Sequence, residues 1–282
     1  MVRYQIILAY DGSLFKGFQR QAKARSVQGE LETALRQLNW QGRTILAAGR
    51  TDTGAHASGQ VVAFDLEWHH PLDELQQALN GLLPADIAVQ AVAVVNPGFH
   101  PRYHALWRRY RYQIYCQPVR HPLRDRYSWH VWPAAILTRL QEAASLLVGT
   151  HDFAAFGTPP RPVSSTVRTV FQAGWWAEDE QLIFEITAQA FLYHMVRRLV
   201  HIQALIGQGR LETGALAEAL AKPQVQPGKG SMLRHGLAPA HGLTLVEVGY
   251  PVHPGYPVHP GYPVDTGCPP EALSMDEDLE TQ

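Results

Sequence analysis

The segment Gly49-Arg50-Thr51-Asp52-Thr53-Gly54-Ala55-His56 sets one carboxylate two residues after a guanidinium, with a glycine on either flank. An ionised Asp52 within reach of a substrate can act as a nucleophile or as a base. A guanidinium within about 4–6 Å favours the ionised form, and spacing makes Arg50 the candidate for it. Residues two apart on an extended segment point to one side, so Arg50 and Asp52 can face the same ligand. Gly49 and Gly54 allow close backbone approach to another molecule. The same residues also spell ordinary turn chemistry, because aspartate beside glycine bonds its own backbone. A second Asp-Thr-Gly at Asp265-Thr266-Gly267 raises proteolysis by two carboxylates sharing a proton. That copy follows Tyr262-Pro263-Val264 and precedes Cys268-Pro269-Pro270. Prolines on both sides argue against a core loop there, and so against that chemistry.

Two other constellations could serve a site. In Arg108-Arg109-Tyr110-Arg111-Tyr112, strand alternation puts both tyrosines on one face and Arg109 and Arg111 on the other. The tyrosines can pack a core or present a ring to a ligand. A helix over 191–208 carries an apolar stripe of Phe191, Met195, Leu199, Ile202 and Ile206. His194, Arg197, Arg198 and His201 form a band beside it, either a solvated basic face or a set of ligand contacts. The chain has no His-Glu-x-x-His, no Cys-x-x-Cys, no phosphate-binding glycine loop and no dinucleotide fingerprint. No metal and no cofactor are therefore expected, and any chemistry falls to protein side chains.

The elements that must position these residues read as α+β. A strand over 4–10 ends at Asp11-Gly12. Ser26 is an N-cap for a helix with Val27, Leu31, Leu35 and Leu38 on one face. A short strand near 43–48, the Asp52 loop and a strand at 60–66 follow. A helix after Pro71 carries Leu72, Leu75, Leu79 and Leu82, and a strand covers 87–95. That β-α-β-β-α-β order is the split βαβ unit of ferredoxin-like domains. Similar order recurs beyond it: a strand at 108–116, a helix at 134–147, a long loop over 151–166, a hairpin of 167–176 and 182–188, the 191–208 helix, a short helix at 213–221, and a strand at 243–250. The expectation is two pseudo-repeated ferredoxin-like (RRM-like) halves, 1–104 and 105–250, with largely antiparallel sheets, helices on one face and a cleft between them. Residues 251–282 differ. Tyr-Pro-Val-His-Pro-Gly at 250–255 repeats at 256–261, a proline density that resists regular packing. A disordered tail is expected there, over the rival of weak metal binding by His253 and His259.

With 46% hydrophobic and 17% charged residues among 282, the chain has globular composition. No apolar run approaches the ~18 residues of a membrane span, and no leader is apparent. Two distant cysteines, Cys116 and Cys268, fit a reducing cytoplasm. The net charge of −1 conceals a split: all 24 Lys and Arg but only 19 of the 25 Asp and Glu fall within 1–250, a net of +5. Seven arginines crowd 102–126 against the single acid Asp125, interleaved with Tyr103, Tyr110, Tyr112 and Tyr127. Arginine suits phosphate contacts and base stacking, so RNA is the expected partner.

The segment from Ala48 through Val61 resembles the active-site segment of tRNA pseudouridine synthases of the TruA type. So do Asp11-Gly12 with Phe15-x-Gly17-x-Gln19, Phe99-His100-Pro101-Arg102, Arg109-Tyr110-Arg111-Tyr112, Asp152-Phe153, Phe191-x-x-His194-Met195-Val196-Arg197, and Gly242-Leu243 ahead of Tyr250. The likeness spans about 1–250 and excludes the tail. Arg198 stands where the family pattern has asparagine. The resemblance implies isomerisation of uridine to pseudouridine at positions 38, 39 and 40 of the tRNA anticodon stem-loop. It implies Asp52 as nucleophile or base, and no metal or cofactor. Tyr110 would be the stacking platform, with Tyr112 second to it. Arg50 would hold Asp52 ionised and wedge into the emptied base stack, and Arg197 would pair with Asp52 or a phosphate. It further implies a homodimer in the cytoplasm, with no membrane association. The alternative from another class is an RNA-binding protein with two RRM-like halves and no chemistry.

Overall fold

Apolar β-formers at consecutive positions make β1 (Val2–Tyr10) a central strand buried along Tyr4–Leu8. The structure, a computed structural model, describes residues 1–159, 164–222 and 236–251. Helix α1 (Val27–Gln37) starts where Ser26 accepts a hydrogen bond from the Gly29 N–H, and it buries Val27, Leu31 and Leu35. Strands β2 (Leu46–Ala47) and β3 (His56–Leu66) flank the Asp52 loop. Helix α2 (Leu72–Leu82) and β4 (Ile87–Val94) complete the first half. The second half contains β5 (Trp107–Tyr115), β6 (Trp129–His130), α3 (Leu137–Ser145), β7 (Gly149–Asp152), β8 (Val167–Glu178), β9 (Gln181–Ala188), α4 (Met195–Gly207), α5 (Thr213–Ala221) and β10 (Leu243–Gly249).

All ten strands join one sheet in the order β4-β1-β3-β10-β5-β9-β8-β7, with β2 on β3 and β6 on β5. Pairing is antiparallel except for β6 on β5 and β10 on β3. The last strand is the seam. Thr244 and Leu245 lie parallel to His56 and Ala57, while on its other edge β10 runs antiparallel to β5, Leu245 opposite Tyr110. One apolar core lies around Ile6, Leu31, Leu35 and Leu79, a second around Tyr112, Leu140, Phe184 and Leu199. Tyr110 packs against both. The molecule is thus a mixed α+β fold with a large, mostly antiparallel sheet and five α-helices among the described residues.

Several boundaries differ from expectation. The short strand near 43–48 shrinks to two residues, and the strand expected from 60 begins at His56. The helix expected at 134–147 starts only at Leu137. Strands β6 and β7 were not expected, and β7 claims the first two residues of the loop read over 151–166. Gly149-Thr150-His151-Asp152 shows no apolar alternation; its pairing with β8 makes the strand. Helix α4 begins at Met195, not Phe191, because His194 at its N-cap takes a left-handed φ of 65°. The repeats of the tail, and with them His253, His259, Cys268 and the second Asp-Thr-Gly, lie outside the described residues.

A polar network ties the two halves together behind the Asp52 loop. Asp11 accepts from Arg126 at 2.6 Å and from the Tyr127 hydroxyl at 3.0 Å. Beside it, the Gly12 N–H donates to His56 Nδ1 at 3.0 Å, which leaves Nε2 to donate to the His241 carbonyl at 3.0 Å. Burial opposes ionisation of Asp11, but hydrogen bonds from Ser13, Arg126 and Tyr127 outweigh it and hold the carboxyl well below its ordinary range. Burial pushes His56 and His241 below the ordinary imidazole value, so the folded protein prefers both neutral. Unfolded histidines protonate near pH 6.5, so acidification below that value draws the equilibrium toward the unfolded chain. The low-lying Asp11 carboxyl adds to the loss below about pH 4. The thermal midpoint is therefore expected to fall between pH 7.5 and pH 5, and His56→Gln to flatten that dependence. An equal or higher midpoint at pH 5 would contradict this account.

Candidate active site

Asp52 sits in a loop held from beneath by the chain that follows β1. The Phe18 N–H donates to the Thr51 carbonyl at 3.2 Å, and the Gly54 N–H to the Phe15 carbonyl at 3.3 Å. The Tyr10 and Thr51 hydroxyls are 2.8 Å apart. Gly17 makes this contact possible. Its φ is +91°, and a Cβ there would stand 3.0 Å from the Thr51 carbonyl oxygen. Gly54 turns the chain with φ +81°, and the Ala55 N–H closes the turn on the Asp52 carbonyl at 3.1 Å. A turn does form here, but the Asp52 main-chain carbonyl closes it, whereas the sequence suggests a side chain bonded to its own backbone; the carboxylate is engaged by Arg197 instead.

The partner of that carboxylate comes from far along the chain. Arg197, in the first turn of α4, places Nη1 2.5 Å from Asp52 Oδ2. Its Nε donates to the Ala238 carbonyl at 2.7 Å, which sets the guanidinium's orientation. Both side chains are largely buried, at 15% exposure for Asp52 and 13% for Arg197. Arg50 does not fill the role that spacing suggested. It is exposed and makes no ion pair with Asp52, although it lines the same cleft. Two residues of separation along a turning loop let both residues line the cleft without bringing their charges together. His194 approaches instead, with Nε2 3.6 Å from Asp52 Oδ2. Burial pushes its imidazole below the ordinary value; Asp52 opposes that shift, and Arg197 and Arg198 reinforce it.

Above this pair opens a cleft of about 700 Å³ lined from both halves, including Asp52, Arg50, Tyr110, Phe191, His194 and Arg197. Tyr110 meets Phe191 edge-on, with ring centroids 5.1 Å apart at 90°. Burial pushes its phenol up to about 12, so the hydroxyl keeps its proton at neutral pH. Tyr112 lies elsewhere: it is fully buried in the second core, its hydroxyl donating to the Pro239 carbonyl at 2.7 Å. Arg198 does not line the cleft. The structure therefore brings Asp52, Arg50, Tyr110 and Arg197 to one cavity and adds Phe191 and His194. The sequence reading had put both of those inside a helix. A histidine in the left-handed region leaves no signature in residue type, so the helix start at Met195 was not legible.

The arginine-rich stretch is less uniform than it reads. Arg109 pairs with Glu247 at 3.5 Å and Arg111 with Glu185 at 3.2 Å. Arg120, Arg124 and Arg126 pair with Asp125, Glu180 and Asp11. Only Arg102 and Arg108 of the seven line the cleft. Among the described residues no three His, Cys, Asp or Glu side chains group as a metal site would, and no helix is long and apolar enough to cross a membrane.

A family model described as tRNA pseudouridine synthase matches residues 6–104 and 143–251. Among curated proteins, the tRNA pseudouridine synthase A of Chloroflexus aurantiacus is 41% identical over 253 residues, covering 87% of this chain and 88% of that one. The protein of the same name from Shouchella clausii is 40% identical over 251 residues, covering 89% and 94%. That from Moorella thermoacetica is 40% identical over 248 residues, covering 87% and 98%. The first matched block holds the Asp52 loop and the second holds the arginine that grips it, and on likeness of this extent the chain belongs to the tRNA pseudouridine synthase family.

Proposed function

We propose that this protein isomerises uridine to pseudouridine in tRNA, with Asp52 as the carboxylate that initiates glycosidic cleavage, as nucleophile or base. The observation that carries the reading is the Asp52–Arg197 pair at the floor of a cleft large enough for a nucleotide. The chemistry balances within the substrate. The N1–C1′ bond breaks, the uracil turns, a C5–C1′ bond forms, C5 loses a proton and N1 gains one. Nothing is oxidised or reduced. The target base must leave its stack, which costs a few kcal/mol in a duplex and less beside a loop. Tyr110, edge-on to Phe191, offers the extruded uracil a ring, and such stacking recovers about 1–3 kcal/mol.

The finer reading follows the family likeness. The substrates are positions 38, 39 and 40 of the anticodon stem-loop, the enzyme is a homodimer working in the cytoplasm, and Arg50 enters the gap left by the flipped base. Its exposure at the cleft and its lack of an acid partner among the described residues support that role for Arg50. We read 1–104 and 105–250 as two ferredoxin-like halves around the cleft; the two apolar cores along one sheet support this.

The test is tritium release from tRNA transcripts labelled at uridine C5, with the modified positions then mapped. Release at anticodon-stem uridines is expected. Tight RNA binding without release would favour the non-catalytic alternative. Tyr110→Ala should lower kcat/KM by about 5- to 150-fold, the loss of one stacked base, and Tyr110→Phe far less. Equal losses would mean that the hydroxyl carries the role. Because the family match ends at 251, deleting 252–282 should leave tritium release within about two-fold of the intact chain, as an assay of the truncated protein would show.

A further inference from the structure

Two tyrosines on the lips of the cleft expose their rings to water, Tyr103 at 71% and Tyr193 at 60%, and both line the cavity above Asp52. Neither is exposed because its backbone is loose. The turn that carries Tyr103 is pinned by Arg102 N–H to His100 Nδ1 at 3.1 Å and His104 N–H to the His100 carbonyl at 3.1 Å. The Tyr250 hydroxyl grips the Pro101 carbonyl at 2.7 Å, and Arg108 grips the Arg102 carbonyl at 2.7 Å. Tyr193 is held by reciprocal backbone bonds with Thr158, at 2.9 and 3.2 Å.

Each ring also has a histidine against it. His100 lies 4.2 Å from Tyr103, tilted by 36°, and His194 lies 3.6 Å from Tyr193, tilted by 30°. These contacts fix the aromatic planes and leave much of each ring in solvent. Fixed rings lose little conformational freedom when a ligand stacks on them. The charge of the lining indicates which ligand. Among the described residues it carries Arg50, Arg102, Arg108, Arg168 and Arg197 against the single acid Asp52. Arg102 stands 5.9 Å over the Tyr103 ring. A cationic wall beside open aromatic faces suits a polyanion with planar groups, since every base offers a π-face whatever its sequence.

We propose that Tyr103 and Tyr193, both exposed in the lining of the cleft, are stacking platforms for the nucleobases that flank the target uridine. The inference rests on the isomerase reading, because it concerns the strand whose target nucleotide occupies that site. Extruding one base leaves its neighbours without a stacking partner on the vacated side. The platforms return that contact and hold the strand open independently of base identity.

The experiment uses an anticodon stem-loop RNA with 2-aminopurine beside a target uridine, in separate 5′- and 3′-labelled versions. In the complex with the intact protein the 2-aminopurine should stay quenched, because the platform replaces the stacking partner that extrusion removes. Tyr103→Ala and Tyr193→Ala should each weaken binding and raise KM by about 5- to 150-fold, abolish quenching in one of the two labelled RNAs, and leave the thermal midpoint unchanged. The Phe variants should restore affinity and quenching. Unchanged affinity and quenching in both Ala variants would overturn the proposal. So would Phe variants as weak as Ala, which would assign the loss to a hydroxyl hydrogen bond. Quenching that the Ala variants abolish, without tritium release by the intact protein, would overturn the isomerase reading and uphold the platforms; release with quenching that neither Ala variant alters would do the reverse.

Discussion

Asp52→Asn is expected to lower pseudouridine formation by about 10⁴-fold or more, the scale seen when a covalent or proton-transferring group is removed from an enzyme. Affinity for tRNA should stay within a few-fold. Asparagine keeps the shape of the side chain and a carbonyl oxygen that Arg197 can still approach, so the cleft keeps its outline. What disappears is the charge that can attack or accept a proton. Tritium release under single-turnover conditions, beside a filter-binding titration of the same RNA, separates the two effects. Release within ten-fold of the parent would remove Asp52 from the chemistry.

The second large effect is expected at Arg197. Its guanidinium bridges the Asp52 carboxylate and the Ala238 carbonyl, at 2.5 and 2.7 Å. Truncation to Ala strands a largely buried carboxylate, a change that typically costs 3–5 kcal/mol. The thermal midpoint should drop clearly, and kcat should fall by roughly 10²–10³-fold as the Asp52 carboxylate loses its orientation. Arg197→Lys tests the geometry. A single ammonium supplies the charge but not the planar fork that reaches both partners, so stability should recover more than kcat does. An Ala variant with the parent's midpoint and kcat would show that the pair is incidental.

Much of the scaffold was legible because local signals agreed with tertiary demands. Ser26 and the Val27, Leu31, Leu35 stripe define α1, and α5 spans the residues read for it. Strands β6 and β7 were illegible because pairing with longer neighbours makes them, not their own pattern. At the site, the importance of Asp52, Tyr110 and Arg197 came from motif likeness. Their convergence could not come from spacing, since 145 residues separate Asp52 from Arg197. Arg50 was assigned to Asp52 on sequence proximity, a poor guide where the side chain turns outward. The arginines of 102–126 read as one basic strip because, Asp125 apart, their acid partners, Asp11, Glu180, Glu185 and Glu247, lie outside that stretch.

The position of β10 has a consequence for how the protein is made. It is the last described strand to leave the ribosome, yet it lies at the centre of the sheet, between β3 and β5. Until it is synthesised, two partial sheets present open edges toward each other, the kind of edge that invites pairing with other chains. The Asp52 loop precedes β3 and α4 follows β9, on either side of that seam, so the strand that joins them is expected to set Asp52 against Arg197. Activity should emerge in one late event, when 243–249 threads into place. A chain stopped short of Leu243 would keep every reactive side chain named above and lack the strand that joins β3 to β5.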